Sequence, residues 1–297
     1  MAILSLKRSL KRKQSTSLSG NIVIIIILLM LSVFMLLPFI YAIMQSLKPI
    51  DELFAYPPKF YVISPSLDSY YELLVLTGNS SIPFGRYVIN SIFIAVAGTF
   101  CNVVFSSMAA FPLAKVNFPG CKTINRLIVV ALLFTAPVMS VPQYIIMANI
   151  GIIDTYWALL LPQLASTLGL FLMRNFMTQI NNSIMDSAKV DGANMFTMFW
   201  RIVMPSVKPA WLTLIIFSFQ NLWNCQSAMG GTDTAFIYSE KLKQIPTVLN
   251  QIVSSNTLAR TDVSYAITVI MLVPPILIFL FAQSNVVETM TYSGIKE

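Results

Sequence analysis

The residues from Asn21 to Leu47 form an apolar run that contains no Asp, Glu, Lys, Arg or His. A helix crosses the hydrocarbon core of a bilayer with about 20 predominantly apolar residues, so this run is long enough to span it. It is too long for the core of a secretory signal, about 7 to 15 residues, and no small-residue cleavage site follows it. We therefore expect a retained first transmembrane helix. Charged residues make up 10% of the chain, against roughly 25% in a soluble domain.

Five further apolar runs of similar length follow the first. In hydrocarbon a helix satisfies its own backbone hydrogen bonds, whereas a strand needs a closed barrel, and no run shows the alternation of barrel strands. The sequence predicts an all-α integral membrane protein with about six transmembrane helices. The predicted spans are 21–47, 87–111, 127–147, 156–177, 210–229 and 265–284.

The basic residues are distributed unevenly between the two sides that these spans define. With the N-terminus in the cytoplasm, the inner side holds 13 of the 19 Lys and Arg residues and 4 of the 12 Asp and Glu residues. The positive-inside rule then predicts an N-in/C-in topology, and the basic composition needs no nucleic acid to explain it. The predicted segments are a cytoplasmic basic tail at 1–20, an extracellular loop at 48–85, a five-helix core at 86–287 and a cytoplasmic tail at 288–297.

The chain lacks the residue patterns of most catalytic and cofactor sites. It has no histidine, no Gly-Lys dipeptide, and three cysteines, Cys101, Cys121 and Cys225, on separate elements. These features exclude His-based catalysis, a Walker A nucleotide loop and a cysteine-histidine metal site. We therefore expect no catalytic site, metal or cofactor in this chain, and if the protein uses ATP, another chain must hydrolyse it.

Neutral polar side chains lie within the fourth and fifth predicted spans. Amides beside an aromatic ring suit an uncharged, hydroxyl-rich cargo, whereas an ion-coupled secondary transporter usually carries ionisable groups near the membrane midplane. The same side chains can instead join helices through hydrogen bonds, and the sequence leaves both interpretations open. The candidate pathway residues are Gln163, Thr167, Gln220, Asn221, Trp223 and Asn224.

A polar segment at 179–208 separates the fourth and fifth spans, and it contains the sequence DSAKVDGANMFTMFWRIVMP from Asp186 to Pro205. A short helix is predicted over 184–190, and Gly192 supplies the backbone freedom for a sharp turn. The residues after the turn recur at helical spacing and predict one broad apolar face, which docks on a partner or caps its own helix bundle. The members of that face are Met195, Phe196, Phe199, Ile202 and Val203.

The spacing of this segment resembles the EAA loop of ABC importer permeases. Asp186, Ser187 and Ala188 stand where that loop has EAA, Gly192 follows after three residues, and the IVMP sequence follows after nine more. Other segments, in the same order, resemble the carbohydrate-uptake permeases, above all the second permease subunit of the maltose importer: SLKPIDELFAYPPKF, FGRYVINS, FPLAKVNFPG, GIIDTYWALLLPQ and FQNLWN. The resemblance covers nearly the whole chain and implies the MetI-like fold of type I ABC importer permeases.

By this resemblance, the loop is a coupling helix that sits in a groove on a cytoplasmic ATPase, which binds the ATP and Mg²⁺. The chain departs from the family pattern at Asp186, where Glu is usual, and at Ser187, where Ala is usual. It also has Cys225 and Gln226 where Asp-Phe often follows, which bears on the cargo pathway. The implied coupling residues are Asp186, Ser187, Ala188, Asp191, Gly192, Ala193, Met195, Phe196, Phe199, Ile202 and Pro205.

The resemblance implies the permease subunit of an ATP-driven, binding-protein-dependent importer that takes up a sugar, an oligosaccharide or glycan fragment, by alternating access. Its partners would be a second, homologous permease in a heterodimer, a cytoplasmic ABC ATPase dimer and an extracellular solute-binding protein, at a bacterial plasma membrane. The alternatives are an ABC importer permease for a non-sugar solute, a secondary transporter and a membrane assembly scaffold. The outer loops expected to receive cargo lie at about 48–85 and 230–264.

Overall fold

The structure, a computed structural model, describes residues 18–78, 82–134, 136–224, 236–254 and 261–294. Throughout these ranges the chain forms helices and their connections, and no strand. Helices are what an apolar chain forms in lipid, because each helix satisfies its own backbone donors and acceptors. The predicted all-α fold is confirmed.

Long helices and short connections make up the described ranges. The helices are α1 (Leu18–Ser46), α2 (Ile50–Leu53), α3 (Asp68–Gly78), α4 (Phe84–Lys115), α5 (Cys121–Ala131), α6 (Ala136–Ile150), α7 (Tyr156–Leu164), α8 (Thr167–Gln179), α9 (Asn182–Val190), α10 (Met195–Ser206), α11 (Lys208–Trp223), α12 (Ile245–Ser254) and α13 (Thr261–Gly294), with a 3₁₀ turn at Glu240–Leu242. The side-chain oxygens of Ser166 and Asn181 cap the N-termini of α8 and α9. Such caps satisfy backbone N–H groups that have no partner within the helix.

Four stretches of the described chain are long and apolar enough to cross a membrane: Ile22–Ser46, Phe84–Lys115, Tyr156–Gln179 and Thr261–Phe281. Helices α10 and α11 would form a fifth if taken together, although they are bent by 79°. The predicted span at 127–147 is divided between α5 and α6, and α6 contains a proline. The number of spans and the N-in/C-in topology therefore stay predictions.

Helices also lie outside the spans that the sequence predicts. The loop at 48–85 contains α2 and α3, and α13 continues past residue 287 to Gly294. Within this loop, Glu52 accepts hydrogen bonds from the backbone N–H of Ile63 at 2.8 Å and of Ser64 at 3.3 Å. Desolvation raises the pKa of Glu52, but these bonds outweigh it and hold the pKa below its usual value.

Helix α4 lies at the centre of the fold and packs against α7, α8 and α11. A Cβ built at Gly98 would lie 2.6 Å from Leu222 Cδ1 and 3.3 Å from Leu160 Cδ2, so α4 approaches its neighbours closely there. Small side chains permit such approach, which matters in lipid because no hydrophobic effect drives helices together. The buried small residues of α4 are Ser91, Ala95, Gly98, Thr99, Ser106, Ser107 and Ala110.

A polar seam, formed by Asn102, Ser106 and Ser218, joins α4 to α11. Asn102 Nδ2 donates to Ser218 Oγ at 2.7 Å, and Ser106 Oγ donates to Asn102 Oδ1 at 2.8 Å. All three residues are buried, where an unpaired polar group would cost about 1–3 kcal/mol. Gly169 of α8 lies against the seam, since a Cβ there would be 2.6 Å from Ser106 Oγ and 2.8 Å from Asn102 Oδ1. Three helices therefore meet where position 169 has no room for a side chain.

Two apolar clusters lie on either side of the polar seam. One includes Ile94, Leu159 and Leu222, and the other includes Met173 and Val203. Asn102 of α4 and Ser218 of α11 fall between the residues of the two clusters, and Ser106 lies among the residues of the second cluster. Because a buried amide must keep its partner, the seam fixes how far α4 and α11 are shifted along each other.

Helix α1 packs against α13, and every residue from Ile22 to Ile40 is exposed. At the other end of α1, Gln45 and Ser46 are buried, and Ser46 Oγ lies 2.9 Å from Tyr70 Oη of α3. An apolar surface of this extent is stable in contact with acyl chains or with another membrane subunit. The exposed length of α1 is therefore a membrane surface of this chain.

Gly169→Ala is expected to lower the free energy of unfolding, because its methyl group would overlap Ser106 Oγ and displace Asn102 from the polar seam. Overpacking of a tight contact typically costs about 1–3 kcal/mol. Gly85→Ala is the matched control, since nothing lies within 4 Å of a Cβ at that helical position. Thermal unfolding in detergent, followed by tryptophan fluorescence, should show a lower midpoint for Gly169→Ala alone. Equal midpoints would contradict the tight packing.

Candidate functional site

The candidate coupling segment, residues 182–206, which is called the coupling segment below, begins with α9, whose C-terminal end is closed by a Schellman motif. Ala193 N–H donates to Ala188 O at 2.9 Å, and Gly192 N–H donates to Lys189 O at 3.0 Å. Gly192 has a φ of +80°, a left-handed conformation that costs most other residues about 1–2 kcal/mol. The predicted short helix and its glycine turn are both confirmed.

Helix α10 follows the turn, and its geometry departs from the α-helical spacing that the sequence predicts. Asn194 starts the helix by accepting a hydrogen bond from Thr197 N–H at 2.7 Å on its side-chain oxygen. A π-helical stretch then runs over Met198–Val203. Because each π-helical turn holds more residues than an α-helical turn, side chains that α-helical spacing would place together point in different directions.

The apolar residues of α10 do not form the single face that the sequence predicts. Phe199 and Val203 are buried inside the chain, and the rings of Phe199 and Phe111 of α4 lie 5.5 Å apart. Met195 is exposed, and Phe196 keeps 68% of its surface accessible. One part of α10 thus caps the helix bundle, while the other is free to meet a partner.

Helix α9 is divided in the same way between a buried and an exposed face. Met185 and Ala188 are buried, whereas Asp186 and Ser187 are exposed. Asp186 Oδ1 lies 3.0 Å from Lys189 Nζ, but an exposed pair of this kind contributes at most about 1 kcal/mol. The carboxylate is therefore accessible to a cationic group of a partner. Among the other candidate coupling residues, Asp191, Gly192 and Pro205 are exposed, and Ala193 and Ile202 are half-buried.

Lys115, the last residue of α4, ties the coupling segment to the core. Its Nζ donates to Ile180 O and to Asn182 Oδ1, at the junction of α8 and α9. A cleft of about 200 Å³ between α4 and α9 is lined by Lys115, Asn182 and Asp186, among others. Because α10 also leads directly into α11, a displacement of the coupling segment acts on α4, α8 and α11 together.

The candidate pathway residues of α11 and its C-terminal cap differ in their surroundings. Gln220 is half-buried, and Asn221 and Asn224 are exposed. Trp223 keeps 1% of its surface accessible, and its indole N–H donates to Met271 O of α13 at 2.9 Å. The structure therefore places the exposed amides at a surface of α11 and the Trp223 ring between helices.

The candidate pathway residues of the fourth predicted span flank the break between α7 and α8. Gln163 and Thr167 are both half-buried there. Thr167 lines a cavity of about 390 Å³ between α4, α5 and α8, where Ser106 and Ser166 are the other polar residues. The structure does not bring Gln163 into that cavity, so these two candidates occupy different surroundings.

Asn90 and Ser91 hold other elements against α4 near its N-terminal end. Asn90 Nδ2 donates to Lys241 O at 2.9 Å and to Lys243 O at 3.0 Å. Tyr156 Oη of α7 donates to Asn90 Oδ1 at 2.8 Å, and Ser91 Oγ accepts from the backbone N–H at the start of α12 at 2.9 Å. The start of α7 and the connection to α12 are thus fixed on α4, at the opposite end of α4 from Lys115.

Asp154 orders the connection between α6 and α7 at the same end of the fold. Its carboxylate accepts from the backbone N–H of Tyr238 at 3.0 Å and of Ser239 at 2.8 Å, and its own N–H donates to Phe236 O at 2.8 Å. Tyr144 Oη lies 2.9 Å from Tyr238 Oη, and this hydrogen bond raises the pKa of Tyr238. Asp154 therefore holds the backbone of Phe236, Tyr238 and Ser239 against the connection between α6 and α7.

Sequence analysis did not single out Asn90 or Asp154. Both lie in segments that carry the family resemblance, FGRYVINS and GIIDTYWALLLPQ. Their partners are backbone groups between Phe236 and Lys243, which are distant in the chain. Hydrogen bonds to such distant partners leave no local pattern in the sequence. The similarity of the two segments to those of carbohydrate-uptake permeases was the one indication in the sequence that these residues are important.

Sequence comparison finds relatives along nearly the whole chain, although no family model matches it. The chain is 27% identical over 288 residues to the polygalacturonan/rhamnogalacturonan transport system permease protein YtcP of Bacillus subtilis strain 168, over 91% of this chain and 95% of the relative. It is 28% identical over 276 residues to the arabinooligosaccharides transport system permease protein AraQ of the same strain, over 93% and 96%. The expected resemblance to carbohydrate-uptake ABC importer permeases is confirmed.

Solved structures show the same fold. A chain of a bacterial ABC transporter involved in the import of the acidic polysaccharide alginate matches with a TM-score of 0.76 at 22% identity, over 91% of this chain and 98% of that chain. A chain of the bacterial alginate ABC transporter in complex with alginate pentasaccharide-bound periplasmic protein matches with a TM-score of 0.58 at 15% identity, over 87% and 92%. The fold is that of an ABC importer permease. The relatives are permeases of transport systems, and the described chain has helices long and apolar enough to cross a membrane.

Gly192→Ala is expected to speed amide hydrogen exchange at the end of α9 about five-fold or more, because alanine at this φ costs about 1 kcal/mol or more. Gly192→Asn should have a smaller effect, since asparagine tolerates the left-handed region better. Exchange measured by mass spectrometry over 182–194 gives the comparison. Exchange in Gly192→Ala that matches the wild type would contradict the Schellman cap.

Proposed function

We propose that this chain is one of two permease subunits of an ATP-driven, binding-protein-dependent importer for an oligosaccharide or glycan fragment. The proposal rests mainly on the coupling segment. In a chain with this fold, Asp186 and Phe196 are exposed on two short helices, α9 and α10, whose other face is buried. The cargo class is supported by the relatives, which are named for the transport of glycans and oligosaccharides. The membrane is the bacterial plasma membrane.

The exposed face of the coupling segment docks on a cytoplasmic ABC ATPase dimer, which binds and hydrolyses ATP with Mg²⁺. Phe196 presents an aromatic side chain to solvent, and Asp186 presents a carboxylate. An exposed aromatic side chain that enters a pocket of a partner is the usual anchor of a protein interface. The buried residues Ala188 and Phe199 hold the two short helices in place, so the docking surface keeps its shape.

Movement of the ATPase subunits reaches the transport pathway through direct contacts. Lys115 fixes the junction of α8 and α9 to the end of α4, and α10 continues into α11 through the 79° bend. The same three helices, α4, α8 and α11, meet at the polar seam. A coupling free energy of about 1–3 kcal/mol between the ATPase and the pathway shifts the ratio of outward-open to inward-open states about 5- to 150-fold.

Cargo passes between this chain and a second, homologous permease by alternating access. Asn221 and Asn224 are exposed at the C-terminal end of α11, where their amides can hydrogen-bond sugar hydroxyl groups. An amide pairs equally well with the donors and acceptors of a hydroxyl, whereas a fixed charge would favour an ionic cargo. Asn221 and Asn224 suit the pathway surface better than Trp223, because the indole N–H of Trp223 already donates to Met271 O of α13.

An extracellular solute-binding protein delivers the cargo to the end of the fold that carries Asn90 and Asp154. The bonds of Asp154 to Tyr238 and Ser239 hold this surface in a defined shape, which a docking protein requires. The alginate transporter structure contains such a periplasmic protein, loaded with a pentasaccharide. This comparison supports the same arrangement for the present chain.

Phe196→Asp is expected to remove the ATPase from the purified complex while leaving the thermal unfolding midpoint unchanged, because Phe196 is mainly exposed in this chain. A charge forced into an apolar pocket of the partner would cost several kcal/mol, about 100-fold or more in affinity. The readout is co-purification from detergent-solubilised membranes, with every chain identified by mass spectrometry.

Two further variants separate docking from folding. Phe54→Asp makes the same change at an exposed aromatic residue in the loop at 48–85, and it should retain the ATPase. Phe199→Asp places a charge against Phe111 in the interior and should lower the unfolding midpoint. An ATPase that stays bound to Phe196→Asp, or that is absent from the wild type, contradicts the proposed coupling surface.

Asn221→Leu combined with Asn224→Leu is expected to reduce ATP-dependent uptake about ten-fold or more, because sugar hydroxyls would lose one hydrogen bond at each site. Uptake of fluorescent arabino-, galacturono- and malto-oligosaccharides is measured in proteoliposomes that contain the whole complex and its binding protein. Asn149→Leu, at an exposed position near the end of α6, is the control. Uptake of a non-sugar solute alone would contradict the cargo class.

A further inference from the structure

The chain that follows α1 forms a closed loop over residues 47–66, called the closed loop below. Its two ends meet where Ser66 N–H donates to Leu47 O at 2.9 Å. Lys48 is buried, and its Nζ donates to Lys59 O across the loop. The carboxylate of Glu52 accepts two backbone N–H groups of the returning strand of the loop. These bonds fix the shape of the closed loop and therefore the direction of its exposed side chains.

The stretch 56–61 of the closed loop exposes three aromatic side chains. Tyr56 keeps 96% of its surface accessible, Phe60 keeps 50% and Tyr61 keeps 61%. Pro57 and Pro58 lie between them and restrict the backbone of this stretch. Exposed apolar surface that is contiguous usually marks contact with another molecule or with a membrane. The position of the rings relative to α1 decides between these.

Phe60 lies beside α1, in the part of that helix that is long and apolar enough to cross a membrane. The rings of Phe60 and Tyr41 are 5.6 Å apart, and Tyr41 lies five residues before Ser46, about 8 Å along the helix axis. The closed loop thus folds back along α1 and does not extend away from it. Tyr265 of α13 lies 6.4 Å from Tyr41, edge to face. Aromatic rings of α1, α13 and the closed loop therefore lie at one level.

This level corresponds to the edge of the hydrocarbon core of a bilayer. The apolar stretch Ile22–Ser46 has 25 residues and is about 38 Å long, whereas the core is about 30 Å thick. A centred helix would extend about 4 Å beyond the core at each end, so Tyr41 would lie about 4 Å inside the edge. The headgroup region outside the core is about 5–7 Å thick, and the closed loop begins within it.

We propose that Tyr56, Phe60 and Tyr61 anchor the closed loop in the membrane–water interface, at the end of α1 that is predicted to be extracellular. Their rings contact phospholipid between the headgroups and the first acyl-chain carbons. Aromatic residues are enriched at this depth, where the ring lies in an apolar layer and a tyrosine hydroxyl stays with water and headgroups. Lys59 is exposed in the same stretch, and its long side chain can reach lipid phosphates from this depth. The exposed surface of α1 thus continues onto the closed loop.

The depth of Phe60 disfavours a water-soluble occupant. A solute-binding protein approaches from the aqueous side, and it would have to enter the headgroup region to cover a ring that lies beside Tyr41. A glycan would leave hydroxyl groups unpaired against the Phe60 ring, which offers no hydrogen-bonding group. A helix of another membrane subunit can lie at the same depth, so the experiment must distinguish lipid from protein.

Photocrosslinking identifies the molecule that contacts each ring. Tyr56→benzoylphenylalanine, Phe60→benzoylphenylalanine and Tyr61→benzoylphenylalanine are made one at a time in the full-length chain, which is purified with the subunits that accompany it and reconstituted in nanodiscs. Mass spectrometry after irradiation identifies the adduct. Val190→benzoylphenylalanine, at an exposed position of the coupling segment, is the control. The yield of phospholipid adducts at each loop site is expected to exceed that of the control about ten-fold or more.

A fluorescence measurement tests the depth independently of crosslinking. Tyr61→Trp replaces one exposed aromatic side chain by another, so the thermal unfolding midpoint should stay at that of the wild type. The fluorescence that this variant adds should be quenched about two-fold more by phospholipids brominated near the headgroup than by those brominated near the ends of the acyl chains.

Two results would overturn the proposal. One is crosslinking of the loop sites mainly to another protein chain, because a subunit or a binding protein would then cover the rings. The other is a yield of phospholipid adducts no higher than at Val190, together with equal quenching by the two brominated phospholipids, because the rings would then lie in water.

Discussion

The meeting of α4, α8 and α11 at Gly169 is the contact on which the rest of the structure depends. In lipid, apolar surface alone gives helices no reason to associate, so the close approach must come from small residues and from paired polar groups. Gly169 supplies the first, and the hydrogen bonds of Asn102 to Ser106 and Ser218 supply the second. Both apolar clusters and the link from Lys115 to α9 take their positions from these three helices.

The features that the sequence predicts well are those with a local cause. The left-handed turn at Gly192 follows from a glycine between two short amphipathic patterns. The all-α fold follows from the long apolar runs, because a chain in the lipid bilayer must satisfy its backbone hydrogen bonds within each helix. The resemblance of the EAA-like spacing and of the other segments indicated the fold, which the alginate transporter chain shares. Local chemistry and motif order were sufficient for these conclusions.

The features that the sequence does not predict depend on distant parts of the chain. The sequence predicts that Phe196 and Phe199 belong to one apolar face. In the structure, which is π-helical at Phe199, Phe199 packs against Phe111 and Phe196 is exposed. Trp223 stands beside exposed amides in the sequence, yet its N–H is used by Met271 O. Asn90 and Asp154 act on backbone groups far along the chain, so neither carries a local signal.

The two faces of the coupling segment have an evolutionary consequence. Its fold rests on Ala188, Phe199 and a Schellman cap, whereas Asp186 and Phe196, the side chains proposed to meet another protein, are exposed and contact only Lys189 and Trp200 of the same segment. Substitutions at the exposed positions can therefore accumulate without loss of the permease itself. Under the proposed docking on a separate ATPase, a lineage that duplicates such a permease is free to keep the same ATPase or to adopt a new one.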